Sequence, residues 1–426
     1  MRIENGKRLM ALILALALVF AMCFESQAAL GVKKPKDEKK TTEQKNSKKN
    51  DSKKDDKDDE DKTQSETEPV EKPLSVITSK VNDNQKFDIV NPTIAAWLKT
   101  FKIGAPQFYG LTQELSYPIP VRLKWKVKGK KAKKYIISIS TEKKNLPSLI
   151  EDTDKTSSQA PLIYKTKRTF KDVYNLKTGE VYYWNVTAKY PKKKVVISDT
   201  FRFRTKPGLR TLKILGVSNV RDMGGWKVEG GRIKEGLIYR SGNVDAIYPG
   251  GKNQIQNDLG IKTDFDLRKA GEGTAGTTSP LGTDVKYVNL GGVYYNNIIQ
   301  DELNYHTLVK EFKVLAYEKN YPILFHCAIG RDRTGTLAFL LMSLLGASKK
   351  DMYREYELSN FSIAGCTGKS QPITLEKRIT RVYDLIDKHG KKDNTFAEKT
   401  ELFLIDAGVS RKTIKKLKQN LIEFDE

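Results

Sequence analysis

The chain has 426 residues, and 76 Lys and Arg against 52 Asp and Glu give it a formal net charge of +24 at neutral pH. This length accommodates two or three domains, and three cysteines are too few for a disulfide framework in a protein of this size. The positive charge favours an anionic partner, but no nucleic-acid-binding motif accompanies it, so we expect nucleic acid least of all.

The first 29 residues have the pattern of a signal peptide. Arg2, Lys7 and Arg8 precede an unbroken apolar run at residues 9–24, and Ser-Gln-Ala at 26–28 offers a cleavage site with small residues at its first and third positions. The run is short for a membrane span. We therefore expect a secreted or cell-surface protein, with retention by an uncleaved N-terminal anchor as the alternative.

Residues 30–73 are almost entirely charged and small polar residues. Between residues 31 and 73 there are 13 Lys and 13 Asp plus Glu, so the segment explains none of the net charge. With little apolar surface to bury, it is predicted to be a disordered charged linker. Residues 74–116, with a short helical pattern around Trp97, are interpreted as a connecting segment that packs on a neighbouring domain.

Residues 117–207 alternate between apolar and polar side chains in several short runs, which is typical of an antiparallel β-sandwich. The stretch from Leu176 to Tyr182 resembles the tyrosine corner of fibronectin type III domains, and Trp125 resembles their core tryptophan. Residues 118–207 hold 23 Lys plus Arg against 7 acidic residues, a net charge of +16. This basic module either contacts an anionic cell-surface polymer or membrane, or simply has a solvated charged face.

Residues 208–426 have a different pattern, in which short apolar strands alternate with helices. The runs at 264–267, 285–288 and 321–325 are predicted strands, and residues 306–317 and 333–345 are predicted helices. Such alternation favours an α/β domain with a mostly parallel sheet flanked by helices. The fold class is therefore an all-β sandwich followed by an α/β domain.

The segment His-Cys-Ala-Ile-Gly-Arg-Asp-Arg-Thr-Gly at residues 326–335 lies between a predicted buried strand and a predicted buried helix. Loop amides and a helix N-terminus then face one hollow, which suits an anion. Gly330 allows close backbone approach, and Arg333 can bind two phosphate oxygens. The same positive field would favour the nucleophilic thiolate of Cys327. Thr334 is placed to hydrogen-bond the sulfur as it leaves, and His326 is expected to support the loop.

No His or Cys spacing typical of a metal site and no Gly-rich nucleotide loop occurs in the sequence, so neither a metal nor another cofactor is expected. Cys327 and Cys366 could pair as a redox lock, but two free thiols are the simpler expectation.

The loop resembles that of the protein tyrosine phosphatase superfamily, and in particular the atypical bacterial tyrosine-specific and phosphoinositide-active phosphatases. Further motifs of that family match in order: Asn-Val-Arg-Asp-Met-Gly-Gly at 219–225, Gly-Leu-Ile-Tyr-Arg-Ser at 236–241, Asp-Leu-Arg at 266–268 and Tyr-Glu-Leu-Ser-Asn at 356–360. The resemblance implies phosphate binding by the loop residues Ala328, Ile329, Gly330 and Arg331. It also implies supporting roles for three residues outside the loop, namely Arg221, Asp222 and Arg268.

The residue that protonates the leaving group is less clearly marked, because no Trp-Pro-Asp loop is present. The resemblance nominates Asp266 as the general acid. The alternative is a structural role, in which Asp266 forms an ion pair with Arg268 or Arg240. Position in the loop nominates Asp332 instead, which would otherwise order the loop.

These motifs together predict an exported phosphoric monoester hydrolase that acts on phosphotyrosine through a phosphocysteine intermediate. The family's usual Lys is Arg331 here, which keeps the positive charge but changes its reach. A phosphoinositide, inositol-phosphate or dual-specificity phosphatase is therefore the alternative.

Overall fold

The computed structural model describes residues 74–100, 113–148, 160–292, 302–364 and 375–425. The predicted signal peptide, the charged linker and Cys366 lie outside these ranges. So do residues 294–297, whose Tyr-Tyr-Asn-Asn sequence suggests a substrate-facing loop. None of the helices in the described ranges combines the length and the apolar composition that a membrane span requires.

Two antiparallel-rich sheets form residues 74–207, here called the sandwich region. One sheet has the order β1-β3-β6, and the other has the order β2-β9-β7-β4-β5 with β8 added to β7. The strands are β1 (Ser75–Ser79), β2 (Gln85–Phe87), β3 (Val121–Gly129), β4 (Lys134–Ser140), β5 (Leu162–Thr166), β6 (Phe170–Val173), β7 (Val181–Lys189), β8 (Val195–Ile197) and β9 (Phe201–Thr205).

The two sheets share one apolar core, because the inward positions of the alternating strands meet between them. Trp125 from β3 and Trp184 from β7 are almost fully buried in this core. The hydroxyl of Tyr182 accepts a hydrogen bond from the Lys177 backbone N–H at 2.8 Å, a contact of the tyrosine-corner kind. The fibronectin type III resemblance itself stays a prediction.

Residues 74–116 do more than connect, which differs from the expectation from sequence. β1 pairs with β3 along five residues, and β2 pairs with β9, so this segment supplies a strand to each sheet. Helix α1 (Pro92–Lys99) follows, capped by the side chain of Asn91. The sequence pattern failed to show these strands because both are short and one of them, Gln-Lys-Phe, is mostly polar.

The remaining chain, residues 208–425 and here called the α/β region, contains a five-stranded sheet of order β10-β13-β16-β14-β15. Only β10 runs antiparallel to its neighbour. A second, small sheet has the order β11-β12-β17. The strands are β10 (Arg221–Asp222), β11 (Lys227–Val228), β12 (Gly231–Ile233), β13 (Ile238–Ser241), β14 (Thr263–Asp266), β15 (Lys286–Asn289), β16 (Ile323–His326) and β17 (Ile422–Phe424).

Helices cover this sheet and complete its core. They are α2 (Pro249–Asn253), α3 (Glu302–Ala316), α4 (Arg333–Leu344), α5 (Lys349–Glu357), α6 (Leu375–Asp387), α7 (Phe396–Asp406) and α8 (Arg411–Leu421). Every residue of α4 is buried, as its apolar composition predicts. The Ser410 side chain caps α8, which buries Ile414, Leu417 and Leu421. The sequence predicts both features, because Ser410 precedes a helical pattern that places these three apolar residues on one face.

The parallel strands end at a common edge. The last residues of β13, β16, β14 and β15 pair with one another in register, and they are Ser241, His326, Asp266 and Asn289, respectively. The loops that leave this edge therefore converge, as expected at the carboxyl ends of an open parallel sheet.

Helix α1 of the sandwich region also packs on the α/β region. Ile94 and Trp97 form a small apolar cluster with Leu358 and Phe361, just after α5. The guanidinium of Arg354 on α5 donates to the carbonyl of Thr100 at 2.8 Å and to that of Leu98. The two regions are thus joined by both apolar and polar contacts.

Candidate active site

The loop at residues 327–333 connects β16 to α4, as the sequence predicts. Cys327 is a free thiol with only 2% of its surface exposed, at the point where the central strand ends. The buried strand fixes one end of the loop and the buried helix fixes the other. Its amides therefore have little freedom to rearrange when an anion binds.

Three successive carbonyls of this loop are held from outside. The Ala328 carbonyl accepts hydrogen bonds from Asn243, at 3.0 Å from the backbone N–H and 2.8 Å from Nδ2. Nδ2 of Asn219 donates to the carbonyls of Ile329 and Gly330 at 3.1 and 3.2 Å, and Arg240 Nη2 donates to Gly330 at 2.6 Å. In a trans peptide the N–H points opposite to the C=O, so the following amides face the interior of the loop.

Gly330 is required by the geometry of this loop. Its φ is +71°, which L side chains rarely adopt, and an added Cβ would lie 2.3 Å from the Ser241 carbonyl oxygen. The close approach of the two backbones lets Arg240, one residue before Ser241, reach the loop.

Beneath the loop lies a buried group of three charges. Arg221 Nε donates to Glu355 at 2.5 Å, and Arg240 Nη1 donates to the other oxygen of the same carboxylate. Burial, and then the charge of Arg221, lower the pKa of Arg240 to about 10, so it stays cationic at neutral pH. Arg221 Nη1 also donates to Asn219 Oδ1 at 2.5 Å. The pairing thus orients Asn219 and Arg240, two of the three side chains that hold the loop carbonyls.

The predicted phosphate-binding Arg333 is almost buried, and its terminal nitrogens donate to both oxygens of Glu272 at 3.0 and 2.7 Å. The hydrogen bonds from Arg333 hold the pKa of Glu272 below its usual range. An end-on pair of this kind uses two of the five guanidinium N–H groups, and it fixes the plane of the guanidinium beside Cys327's loop.

Both carboxylate oxygens of Asp266 already accept hydrogen bonds, mainly from Arg268. Arg268 donates to it from Nε, Nη2 and the backbone N–H, and Tyr287 donates a further hydrogen bond at 3.0 Å. Burial opposes ionisation of Asp266, but the bonds from Arg268 and the charge of His326 outweigh burial and lower its pKa. Arg268 also pairs with Asp245 at 2.7 Å. This is the alternative role considered for Asp266, and it makes the residue a poor proton donor.

His326 supports the strand end. Its Nε2 lies 2.8 Å from Asp264 Oδ1, and both side chains are fully buried. Burial disfavours the charged ring, but Asp264 outweighs burial and raises the pKa of His326. The ring is therefore engaged in the core and not directed to a substrate.

Asp332 is the residue just before helix α4. Its Oδ1 accepts from Arg331 Nε at 3.3 Å and from Arg378 Nη1, on α6, at 3.1 Å. Its side chain is 18% exposed, whereas that of Asp266 is 1% exposed. Thr334 follows in the first turn of α4, and its buried hydroxyl makes no hydrogen bond within the described part of the chain. Asp332 thus has the access that Asp266 lacks.

Of the supporting residues expected from sequence, Arg221 reaches the loop through Asn219, but Asp222 does not reach it. Asp222 accepts from Arg210 at 2.9 Å and from the N–H groups of Gly224 and Gly236 at 2.8 Å. Its contacts are therefore with the turn that leads into β13. In the described ranges, no cluster of three or more His, Cys, Asp or Glu side chains is arranged to hold a metal.

Comparison with known proteins identifies the family of this chain. A model described as the tyrosine phosphatase family matches residues 212–423. A candidate tyrosine-protein phosphatase OCA1 of Meyerozyma guilliermondii is 30% identical over 130 residues, which cover 29% of this chain and 68% of that protein. The chain belongs to the tyrosine phosphatase family. The match begins after the sandwich region, which it leaves unassigned.

Other tyrosine phosphatase relatives match over shorter shares of their length. A candidate tyrosine-protein phosphatase of Cupriavidus necator is 29% identical over 34% of this chain and 61% of that protein. A tyrosine-protein phosphatase of Nostoc commune is 28% identical over 25% of this chain and 43% of that protein. Among solved structures, the catalytic core of the PP-IP phosphatase SIW14 from S. cerevisiae matches 35% of this chain and 84% of that chain, at 21% identity and a TM-score of 0.24.

Five residues that shape the phosphatase loop were not among the predicted site residues: Asn219, Arg240, Asn243, Glu272 and Glu355. Two of them lie inside the matched motifs, Asn219 beside Arg221 and Arg240 before Ser241, so those motifs carried a signal for them. The other three follow or precede a motif by a few residues, and only the folded chain brings them to the loop.

Proposed function

We propose that the chain hydrolyses phosphate monoesters, with phosphotyrosine proteins as its substrates and Cys327 as the nucleophile. The observation that carries this proposal is the loop itself. Its outward carbonyls leave the amides pointing inward around a buried cysteine, and Arg333 lies at the end of the loop. Amides and a guanidinium in this arrangement suit the equatorial oxygens of a phosphoryl group in transfer.

The first chemical step is attack of the Cys327 thiolate on phosphorus. An S–P bond forms as the P–O bond to the tyrosine oxygen breaks, and the leaving oxygen takes a proton. We assign that proton to Asp332, because the saturated pairing of Asp266 leaves no room for the role. The product of this step is a phosphocysteine and free tyrosine hydroxyl.

The second step releases phosphate. Water attacks phosphorus, Asp332 takes a proton from that water, and the S–P bond breaks to restore the thiolate. The buried hydroxyl of Thr334 is suited to hydrogen-bond the departing sulfur, because within the described residues it has no other partner. No cofactor enters either step.

A phosphoinositide, inositol-phosphate or dual-specificity activity is the second candidate. It is favoured by two guanidiniums near the end of the loop, those of Arg331 and Arg378, which meet at Asp332. Positive charge at this position would attract a substrate with more than one phosphate. The Meyerozyma, Cupriavidus and Nostoc relatives, all named as tyrosine phosphatases, support the first candidate.

A substrate panel tests both. Wild type and Cys327→Ser should be assayed in reducing buffer on a phosphotyrosine peptide, a phosphoserine peptide, phosphoinositide vesicles and an inositol polyphosphate. We expect highest kcat/KM on the phosphotyrosine peptide and no turnover with Cys327→Ser on any substrate. Turnover by Cys327→Ser would refute the nucleophile, and preference for the inositol compounds would establish the second candidate.

Export belongs to the proposal as well, and it is supported only by the pattern of residues 1–29 and the polar segment after them. Fractionation of cells that produce the full chain, with mass spectrometry of its N-terminus, tests export and cleavage together. An intact N-terminus in the membrane fraction would indicate the uncleaved anchor. Recovery from the cytosol would contradict export.

A further inference from the structure

One outer face of the sandwich region carries a row of exposed cations. β3 is the central strand of the sheet β1-β3-β6, and its alternate residues Lys124, Lys126 and Lys128 are all exposed on the outward side. These three lysines are called the lysine row. Lys80, just after β1, is exposed and hydrogen-bonded through its backbone N–H to Lys124, so it lies at the same edge.

Few acidic residues balance the lysine row. Asp172 lowers the local charge near Lys124, but its carboxylate is already paired with Arg122. Arg122 on the same strand donates to both oxygens of Asp172, at 2.6 and 2.7 Å. Within the described residues, the side chains of the lysine row and Lys80 form no ion pair or hydrogen bond. Like charges on neighbouring positions of a sheet are destabilising, so this face is one that an anionic ligand would stabilise.

The charges are arranged as a line and not as a disc. Alternate residues of a strand are about 6.8 Å apart, so the lysine row spans roughly 14 Å along β3. Next to its end lies a groove of about 870 Å³, whose lining includes Val76, Lys130, Lys192 and Lys194 together with one acidic residue, Asp199. Val76 is the cross-strand partner of Lys128, so the groove begins where the row stops.

We propose that the lysine row and this groove bind a linear phosphodiester polymer, at a site separate from the loop at residues 327–333, here called the catalytic loop. Charge complementarity sets the sign of the ligand, and the single file of cations followed by a groove fits an extended chain. A polymer whose phosphates are joined through three-carbon units repeats its charge at an interval comparable to that of the row. Such binding would hold the enzyme on a polymer while the catalytic loop, on another part of the chain, stays accessible.

A flat anionic membrane fits this surface less well. A sheet twists along its strands, so a row of three lysines does not present a plane, and the positions beside Lys126 and Lys128 are the small side chains Thr78 and Val76. Phe170 is the cross-strand partner of Lys124, and the guanidiniums of Arg122 and Arg168 lie 5.0 and 5.5 Å from its ring centroid. Within the described residues this ring is therefore already engaged and is not a free platform for a stacked base.

Binding of fluorescent poly(glycerol phosphate) to the full chain tests the proposal, with orthovanadate present to occupy the catalytic loop. Lys124→Gln/Lys126→Gln/Lys128→Gln is compared with a control of equal charge change, Lys388→Gln/Lys391→Gln/Lys392→Gln, whose lysines are exposed on the α/β region. We expect the row variant to bind at least tenfold more weakly and the control to bind as wild type. The slope of log affinity against log salt should fall by about 2, or roughly 0.7 for each lost contact.

Three results would overturn the proposal. If the wild-type protein does not bind the polymer, the polymer is not its ligand. Equal losses in the row variant and the control show that only net charge matters. If the row variant loses binding to phosphatidylglycerol vesicles but still binds the polymer, the lysine row is a membrane-binding surface. Turnover of a small phosphate ester should be the same in all three proteins, which separates this outcome from failure of the catalytic assignment.

Discussion

Glu355 pairs with both guanidiniums beneath the catalytic loop, and Glu355→Gln tests the role of its charge. The substitution preserves side-chain volume but leaves two guanidiniums, those of Arg221 and Arg240, without their shared carboxylate. All three side chains are at most 2% exposed. Breaking a buried ion pair by removing one partner costs about 3–5 kcal/mol. For a domain of this size each kcal/mol corresponds to about 2–4 °C, so Tm should fall by roughly 6–20 °C.

Activity should fall as well, even where the variant is folded. Arg240 then loses the partner that fixes it against the Gly330 carbonyl, and a slightly displaced loop costs about tenfold or more in kcat. The measurements are calorimetry and kcat at 25 °C.

The matched control is Glu401→Gln, which removes a partly exposed pair with Lys418, 2.8 Å apart. An exposed pair contributes less than about 1 kcal/mol, so the control should lose at most about 4 °C and no activity. A Glu355→Gln variant with wild-type Tm and kcat would refute the view that this carboxylate organises the loop.

Three further predictions concern single residues of the site. Asp332→Asn should lower kcat on phosphotyrosine about 100-fold and remove the limb of the pH–rate profile that reports ionisation of the general acid. Asp266→Asn should keep that limb. The opposite result for the two variants would identify Asp266 as the general acid. Gly330→Ala should lose most activity and at least about 2 kcal/mol of stability, since its φ is +71° and the new Cβ would clash with Ser241; a crystal structure with an undistorted loop would contradict this. Because the pKa of His326 is raised in the fold, its contribution to stability is complete below about pH 6.5 and is lost as pH rises through the folded pKa. Between pH 5.5 and 9, the free energy of unfolding measured in urea should therefore fall more steeply for wild type than for His326→Asn. Parallel pH dependences for the two proteins would contradict this contribution of His326.

The elements around the loop could be predicted because their signals are local. The apolar residues before Cys327 and the apolar composition after Arg333 predicted the strand and helix that hold the loop, and the structure places them at Ile323–His326 and Arg333–Leu344. Both are buried, and buried segments need continuous apolar sequence. The alternation around Trp125 likewise predicted β3 because only one face of that strand is buried.

What could not be predicted is which distant charges meet. Glu355 lies 134 residues from Arg221 and Glu272 lies 61 residues from Arg333, and a single sequence contains no signal that pairs them. The role of Asp266 depended on the same information. Its position at a strand end was predicted, but only the fold showed that Arg268 turns back to saturate its carboxylate. Strand ends are local, whereas partners of buried charges are a property of the tertiary structure.

Helix α5 makes contacts in two directions through consecutive residues. Glu355 turns toward the catalytic loop, and Arg354 holds the carbonyls that end helix α1. A catalytic fragment that began near residue 208 would therefore leave Leu358 and Phe361 without the apolar side chains of Ile94 and Trp97. For preparing active enzyme, the fragment boundary belongs before β1, and shorter versions should be judged by solubility before their kinetics are compared.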